Sequence, residues 1–196
     1  MSNFGYDNPR GSRIVVDNPN RLVDLATQEQ SLQALAELVQ RATIHPLIRN
    51  TCVKIIRGCE SREDMCELQA IFDAVKSGDT GVPPLSDGLK YVADPRYADY
   101  FESPVDMLQQ CMKGACGSDC DGHAGLICAL AGSIGWVVGL RAYGPKNAGG
   151  YSHVYAVALY PKKGPFERAV GMDTTVPSAS LGWEPPRGNV LTAWLY

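Results

Sequence analysis

The stretch "GACGSDCDGHAGL", residues 114–126, places Cys116, Cys120 and His123 within eight positions. Together they offer soft ligands for a metal ion. Singly, a cysteine can attack a carbonyl carbon as a thiolate. A third alternative is that all three simply pack. A zinc site takes four protein ligands, or three and a water. Here three and then two residues intervene between candidates, and the chain holds no Cys-x2-Cys pair, so the pattern argues against metal.

The nucleophile alternative turns on where Cys120 lies. Ser118 to Asp121 has the character of a helix start, with Ser118 as the cap and Ala124 to Ala131 continuing as good helix formers. Cys120 then falls in the first turn. Unpaired backbone N–H groups and the positive end of the helix dipole favour an anion there. They lower a cysteine pKa and can stabilise an oxyanion. Asp119 and Asp121 work the other way, so the thiol needs a cationic partner.

There are three histidines. His45 precedes Pro46 in a turn between helices, a surface or capping position. His123 lies one turn beyond Cys120 on the same helix, where both side chains lean toward the N-terminus and a nucleophile–base pair is awkward. His153 opens "HVYAVALY", an alternating stretch with the pattern of a strand. The next strand is "FERAVGMD", with Asp173 at its end. Asp173 can accept the second imidazole N–H, fix the tautomer and stabilise the imidazolium. The order is Cys120 on a helix, His153 on a strand and Asp173 on the next strand, a thiol triad. Cys116 is then incidental in a loop, and His123 packs beneath or beside the site. Tyr155 and Val157 are expected in the core. Trp183 either walls the cleft or packs under the terminal loop.

The elements that must position these residues come from periodicity. Leu32, Leu35, Ala36, Leu38 and Val39 follow helical spacing after a Thr27–Gln30 capping box. A second helix starts near Pro46 and stops near Gly58. A third is expected from Ser61 to Gly78, presenting Met65, Leu68, Ile71, Phe72 and Val75. Residues 78–103 are loop-rich, and a helix follows from Pro104 through Met112. Beyond the central helix, strands are expected at 136–144, 151–160 and 167–172. Before all of these, residues 1–26 form an irregular arm with Asn-Pro at 8–9 and 18–19, in which only "RIVV" offers a strand.

Three segments, "DCDGHAGLICALAGSIGWVVGLRAYG", "YSHVYAVALY" and "VGMDTTVPSASLGWEPP", resemble the transglutaminase-like superfamily of papain-like cysteine enzymes. They are most similar to small transglutaminase-like proteins of tailed bacteriophages and prophages. That group starts its central helix with Asp-Cys-Asp, follows with a His-Val-Tyr strand and ends the next strand with Asp-x-Thr. A Gly-Trp-Glu-Pro motif commonly comes after, matched here at Gly182 to Pro185. The helical region and "LKYVADP" resemble its upstream half, so the likeness covers roughly residues 27–186. It implies Cys120 as nucleophile, His153 as base and Asp173 as orienting carboxylate. Gly122 departs from the pattern, since many relatives carry a second Asp there.

Composition narrows the class. The chain has 196 residues, 45% of them apolar, and a net charge of −3. Its basic residues are scattered, with Lys162-Lys163 the longest cluster, so nothing tracks a phosphate backbone and nucleic acid is not an expected partner. The N-terminus lacks an apolar core of a signal peptide. Residues 124–140 carry no charge over seventeen positions, short of the ~20 that span a bilayer, and four glycines punctuate them. No membrane span is expected. Seven cysteines without an export signal suggest reduced thiols and the cytoplasm, with Cys52 and Cys66 as small core residues.

The expected fold is α+β and papain-like, a central helix on a small antiparallel sheet. Its organisation is an arm at 1–26, a helical region at 27–103 and a catalytic core at 104–196. The expected activity is thiol hydrolysis or acyl transfer on an amide or ester of a peptide or protein, with no cofactor or metal. Two alternatives remain: a metal-binding module, and a phage virion structural or assembly protein whose arm contacts virion or tail neighbours. The location is then the host cytoplasm or the virion.

Overall fold

In the computed structural model the described residues are 4–5, 13–17, 25–61, 63–94, 98–147 and 149–195. Strands β1 (Phe4–Gly5) and β2 (Arg13–Asp17) precede helix α1 (Leu25–Thr43). Helix α2 (Pro46–Ile55) runs into a 3-10 turn at Ile56–Gly58, and α3 spans Asp64–Lys76. Short strands β3 (Lys90–Tyr91) and β4 (Ala98–Glu102) lead to α4 (Pro104–Met112). Then come β5 (Gly117–Ser118), α5 (Cys120–Ser133), β6 (Val138–Pro145), β7 (His153–Tyr160), β8 (Arg168–Met172) and β9 (Gly188–Leu195). The architecture is α+β.

Local chemistry explains most boundaries. The His45 side chain accepts the Leu47 N–H at 3.2 Å and Pro46 begins α2, so His45 is a cap. Ser103 and Pro104 repeat the device at α4. Helix α1 starts at Leu25, two residues before the expected capping box. Helix α3 starts at Asp64 instead of Ser61, because residues 60–63 close a turn of their own. The Glu63 carboxylate accepts the Glu60 N–H at 3.2 Å, and the Glu63 N–H returns to the Glu60 carbonyl.

Helix α5 is the centre of the molecule. Every residue from Asp121 to Ala131 is buried, and Leu126, Ile127 and Leu130 are fully so. Burying each such side chain contributes about 1.5–3 kcal/mol. This is why the segment carries no charge: it has no solvent face. α1 to α4 pack on one side of it, and β6 and β7 on the other. α1 comes close where α5 has glycine. A Cβ at Gly125 would lie 3.2 Å from a Val39 methyl, and one at Gly132 would lie 2.9 Å from the Thr43 methyl. One hydrophobic core draws on α1 through β9. No helix among the described residues is long and apolar enough to cross a membrane.

The described residues form three sheets. β1-β2-β4 is antiparallel, β3-β5 is a parallel pair, and β8-β7-β6-β9 is a four-stranded antiparallel sheet. The "RIVV" segment is β2, and the loop-rich 78–103 region holds β3 and β4. Strand β9 was not expected. Its signal was the alternating set Leu191, Ala193 and Leu195, which turns toward the core from a sheet edge.

The cysteines correct an expectation. Seven reduced thiols were expected, yet Cys59 bridges Cys66 and Cys111 bridges Cys116. Cys66 is therefore a cross-link and no longer a small core residue, and Cys116 is not incidental. The 59–63 turn brings Cys59 against the first turn of α3. A reversal after α4, with the Gly114 N–H on the Cys111 carbonyl at 3.0 Å, brings Cys116 back to Cys111. These proximities follow from turns, and cysteine counting does not register them. Cys52 is buried, as expected, and so is Cys128. Thiol titration of the denatured, unreduced protein should count three free cysteines, and seven after reduction, with peptide mapping recovering the 59–66 and 111–116 pairs.

Candidate active site

Cys120 is the first residue of α5, in the first turn as expected. The cap, however, is Asp119, whose carboxylate accepts the Gly122 N–H at 3.3 Å. Ser118 lies one residue before the cap position, in β5, where its carbonyl accepts the Val92 N–H at 2.8 Å. Its side chain packs on the first helical turn. A Cβ at Gly122 would fall 2.7 Å from the Ser118 Cβ and 2.9 Å from the Met107 Cε. Gly122 is thus what lets the strand enter the helix so tightly. An Asp at this position does not fit the packing of this chain.

His153 begins β7 and Asp173 follows β8. The imidazole Nε2 lies 2.6 Å from Asp173 Oδ2. Asp173 is 1% exposed. Its other oxygen accepts the Thr175 N–H at 3.0 Å, the Thr175 hydroxyl at 2.8 Å and the Val176 N–H at 3.3 Å. Burial alone would raise this carboxyl. The hydrogen bond and charge of His153, with the Thr175 bonds, outweigh it and hold Asp173 below the ordinary carboxylate range. An ionised acceptor at Nε2 favours a proton on that nitrogen and leaves Nδ1 as the second imidazole nitrogen.

Two distant side chains hold this pair in place. The Gln28 amide makes a two-pronged bond to the backbone of Tyr151, accepting its N–H and donating to its carbonyl, each at 3.0 Å. That fixes the chain two residues before His153. The Lys76 ammonium donates to the Val176 carbonyl at 3.0 Å and to the Ala179 carbonyl, which fixes the loop after Asp173.

Helix α5 packs along β7. The Val154 backbone, at the start of β7, lowers the Cys120 thiol, and the Val157 backbone lowers Cys128, so Cys120 lies beside the start of the strand. Among the described residues no hydrogen bond joins the Cys120 thiol to the His153 imidazole; bonds between a nucleophile and its base are often long without substrate. Burial, and then the charges of Asp119 and Asp121, push the thiol up to about 12, and the Val154 backbone offsets part of this. Asp121 is itself raised, first by burial and then by its hydrogen bond to Asp119, so the neutral acid is favoured there.

No family model, no curated protein and no solved structure matches this chain. The functional reading rests on residues and distances.

The remaining candidates separate. The sulfur of Cys116 is bonded to Cys111, which removes it from any ligand set. Among the described residues no three His, Cys, Asp or Glu side chains are grouped to hold a metal ion. His123 is 2% exposed and does more than fill space: its Nδ1 lies 2.9 Å from the Thr174 hydroxyl, tying α5 to the turn that holds Asp173. Its Nε2 is buried without a hydrogen-bond partner. Burial lowers this imidazole to about 4, and the Lys90 backbone with the charges of Asp119 and Asp173 offsets only part of that.

Tyr155 and Val157 are buried, as expected. Tyr155 also stacks on His153, with ring centres 6.0 Å apart and planes 18° from parallel. Its hydroxyl bonds to Glu184, which pairs with Arg141 at 2.9 Å, and Arg141 bonds to Thr192 at 3.0 Å. Sequence reasoning missed this chain. The signal was Glu184 inside the Gly-Trp-Glu-Pro motif, where attention fell on Trp183. Trp183 is partly buried, and its carbonyl lies 2.3 Å from where a Gly171 Cβ would be, so the loop packs on β8 through its backbone.

Gly122→Ala should cost about 1–3 kcal/mol by overpacking, read as a lowered denaturant midpoint. His123 gives a pH test. Its folded-state pKa of about 4 lies below the ordinary 6.5, so the unfolded chain binds the extra proton between them. Stability is lost as pH falls through that window. Asp121 acts in the opposite sense but is common to both proteins compared. The stability difference between wild type and His123→Gln should therefore move against wild type by about 2–3 kcal/mol from pH 7 to pH 4, measured by urea unfolding.

Proposed function

We propose that this protein is a papain-like, transglutaminase-like thiol enzyme that forms and breaks acyl bonds on a peptide or protein. The observation that carries the reading is the His153–Asp173 bond at 2.6 Å, because it engages one imidazole nitrogen with a buried carboxylate and leaves the other for proton transfer. His153 Nδ1 takes the thiol proton as Sγ attacks the carbonyl carbon of an amide or ester. The backbone N–H of Cys120, in the first turn of α5, is placed to meet the oxyanion. Asp173 stabilises the imidazolium, which then hands its proton to the departing amine or alcohol. Water attacks the thioester to release acid and thiol, or an amine attacks to give a new amide. Hydrolysis takes precedence, since transfer also requires an amine site that excludes water. A thiol raised to about 12 implies that deprotonation accompanies attack, with no thiolate held in readiness.

A phage virion structural or assembly role is the second reading, and the two disulfides favour it. Such bonds persist outside a reducing cytoplasm, which supports a virion-borne protein over one free in the host cell. The two readings are compatible if the particle carries the enzyme.

A thiol-directed acyl probe should label Cys120 in the native protein and nothing in Cys120→Ala. His153→Ala should slow labelling by roughly a hundredfold, and Asp173→Asn by at least about tenfold. Labelling of Cys52 or Cys128 in preference, or an unchanged rate in His153→Ala, would overturn the enzyme reading. Fixed stoichiometry in purified particles without such labelling would favour the structural role.

A further inference from the structure

The two disulfides lie in opposite electrostatic surroundings. Solvent reaches both, since Cys59, Cys66 and Cys116 are each half-buried. Exposure therefore does not separate them, and charge does. Cys59–Cys66 closes over Glu60, Glu63 and Asp64 against Arg62, and Glu67 follows directly. Cys111–Cys116 closes over a single charged residue, Lys113. Both of its cysteines also line a groove of about 500 Å³. The charged side chains of that groove, among the described residues, are Lys54, Lys90 and one carboxylate, Asp87, and both lysines are exposed.

Thiol–disulfide exchange begins with a thiolate and releases a thiolate. Nearby ammonium groups favour both, and carboxylates oppose both. We propose that Cys111–Cys116 is a thiol–disulfide exchange site whose groove takes an anionic low-molecular-weight thiol. The incoming thiolate attacks Sγ of Cys116, the less buried residue of the pair. The Cys111–Cys116 bond breaks, and Cys111 leaves as a thiolate that takes up a proton. A second thiolate attacks the reductant's sulfur in the mixed disulfide and releases Cys116. Two thiols become one disulfide, and their two electrons and two protons pass to the bridge.

The bridge pins the chain that leads into α5. Residues 112–115 are exposed, so the cross-link is what ties Cys116 back to α4. Beyond it, the Cys116 and Ser118 carbonyls accept the Lys90 and Val92 N–H groups at 3.2 Å and 2.8 Å, and Asp119 caps the helix. Opening the bridge frees Cys116 and loosens the β3–β5 pair. The entry to α5 then responds to thiol redox state, whether or not Cys120 is a nucleophile.

The test treats native full-length protein with reduced glutathione at low salt, traps samples by alkylation at intervals and follows each bridge by peptide mapping. Cys111–Cys116 should open about fivefold faster than Cys59–Cys66. Glutathione should open it about threefold faster than the cationic thiol cysteamine at equal thiolate concentration, and added salt should shrink that gap. Lys54→Gln combined with Lys90→Gln should shrink it too. Hydrogen exchange at the Lys90 and Val92 amides should rise once the bridge is open. Equal opening of the two bridges, or no advantage for the anionic thiol, overturns the exchange site. Unchanged exchange at Lys90 and Val92 overturns the link to α5. The wild-type measurements decide both points even where the double variant does not fold.

Discussion

Helix α5 has no solvent face, and that single constraint organises the active region. A helix buried from Asp121 to Ala131 must be covered by helices on one side and by sheet on the other, so its position along β7 is set by packing over its whole length. The reactive end gains from this. Cys120 is half-buried at the N-terminal end of the rod, in the turn whose N–H groups lack helical partners. A thiol placed there is held by the whole core, and a shift of the helix along β7 would carry the cost of repacking it.

The electrostatics of the site run against its sulfur. Burial and two flanking carboxyl groups favour the neutral thiol. The structure relieves this in two ways. Asp121 is pushed toward its neutral acid by burial and then by its hydrogen bond with Asp119. Asp173 is kept ionised by four hydrogen bonds, so negative charge is concentrated behind His153 and not beside the thiol. On the proposed function, the charge that remains stabilises an imidazolium that forms only as the reaction proceeds.

Much of this was legible in the sequence because it depends on local periodicity. The start of α5 at Cys120, His153 opening a strand and Asp173 closing the next all follow from alternation and helix-start chemistry. What was illegible depends on contact between distant segments. Ser118 looked like the cap until β3 claimed it as a strand residue. Gly122 looked like a missing carboxylate until the Ser118 and Met107 side chains filled the space above it. Cys116 looked incidental until the turn at Gly114 returned it to Cys111. Glu184 and Gln28 carried no periodic signal at all, since each acts on a residue in another element through one polar group.

The Gln28 amide has a consequence for how the molecule acquires its reactivity. It imitates a strand neighbour for Tyr151, although it belongs to the first helix of the chain, 123 residues away. During synthesis, α1 emerges early and waits. Cys120 follows, then His153, and the base gains its register only when the late strand returns to the first helix. On the proposed function, Cys120 is synthesised before the residues that hold His153 in register, and closure of the fold and onset of chemistry are one event.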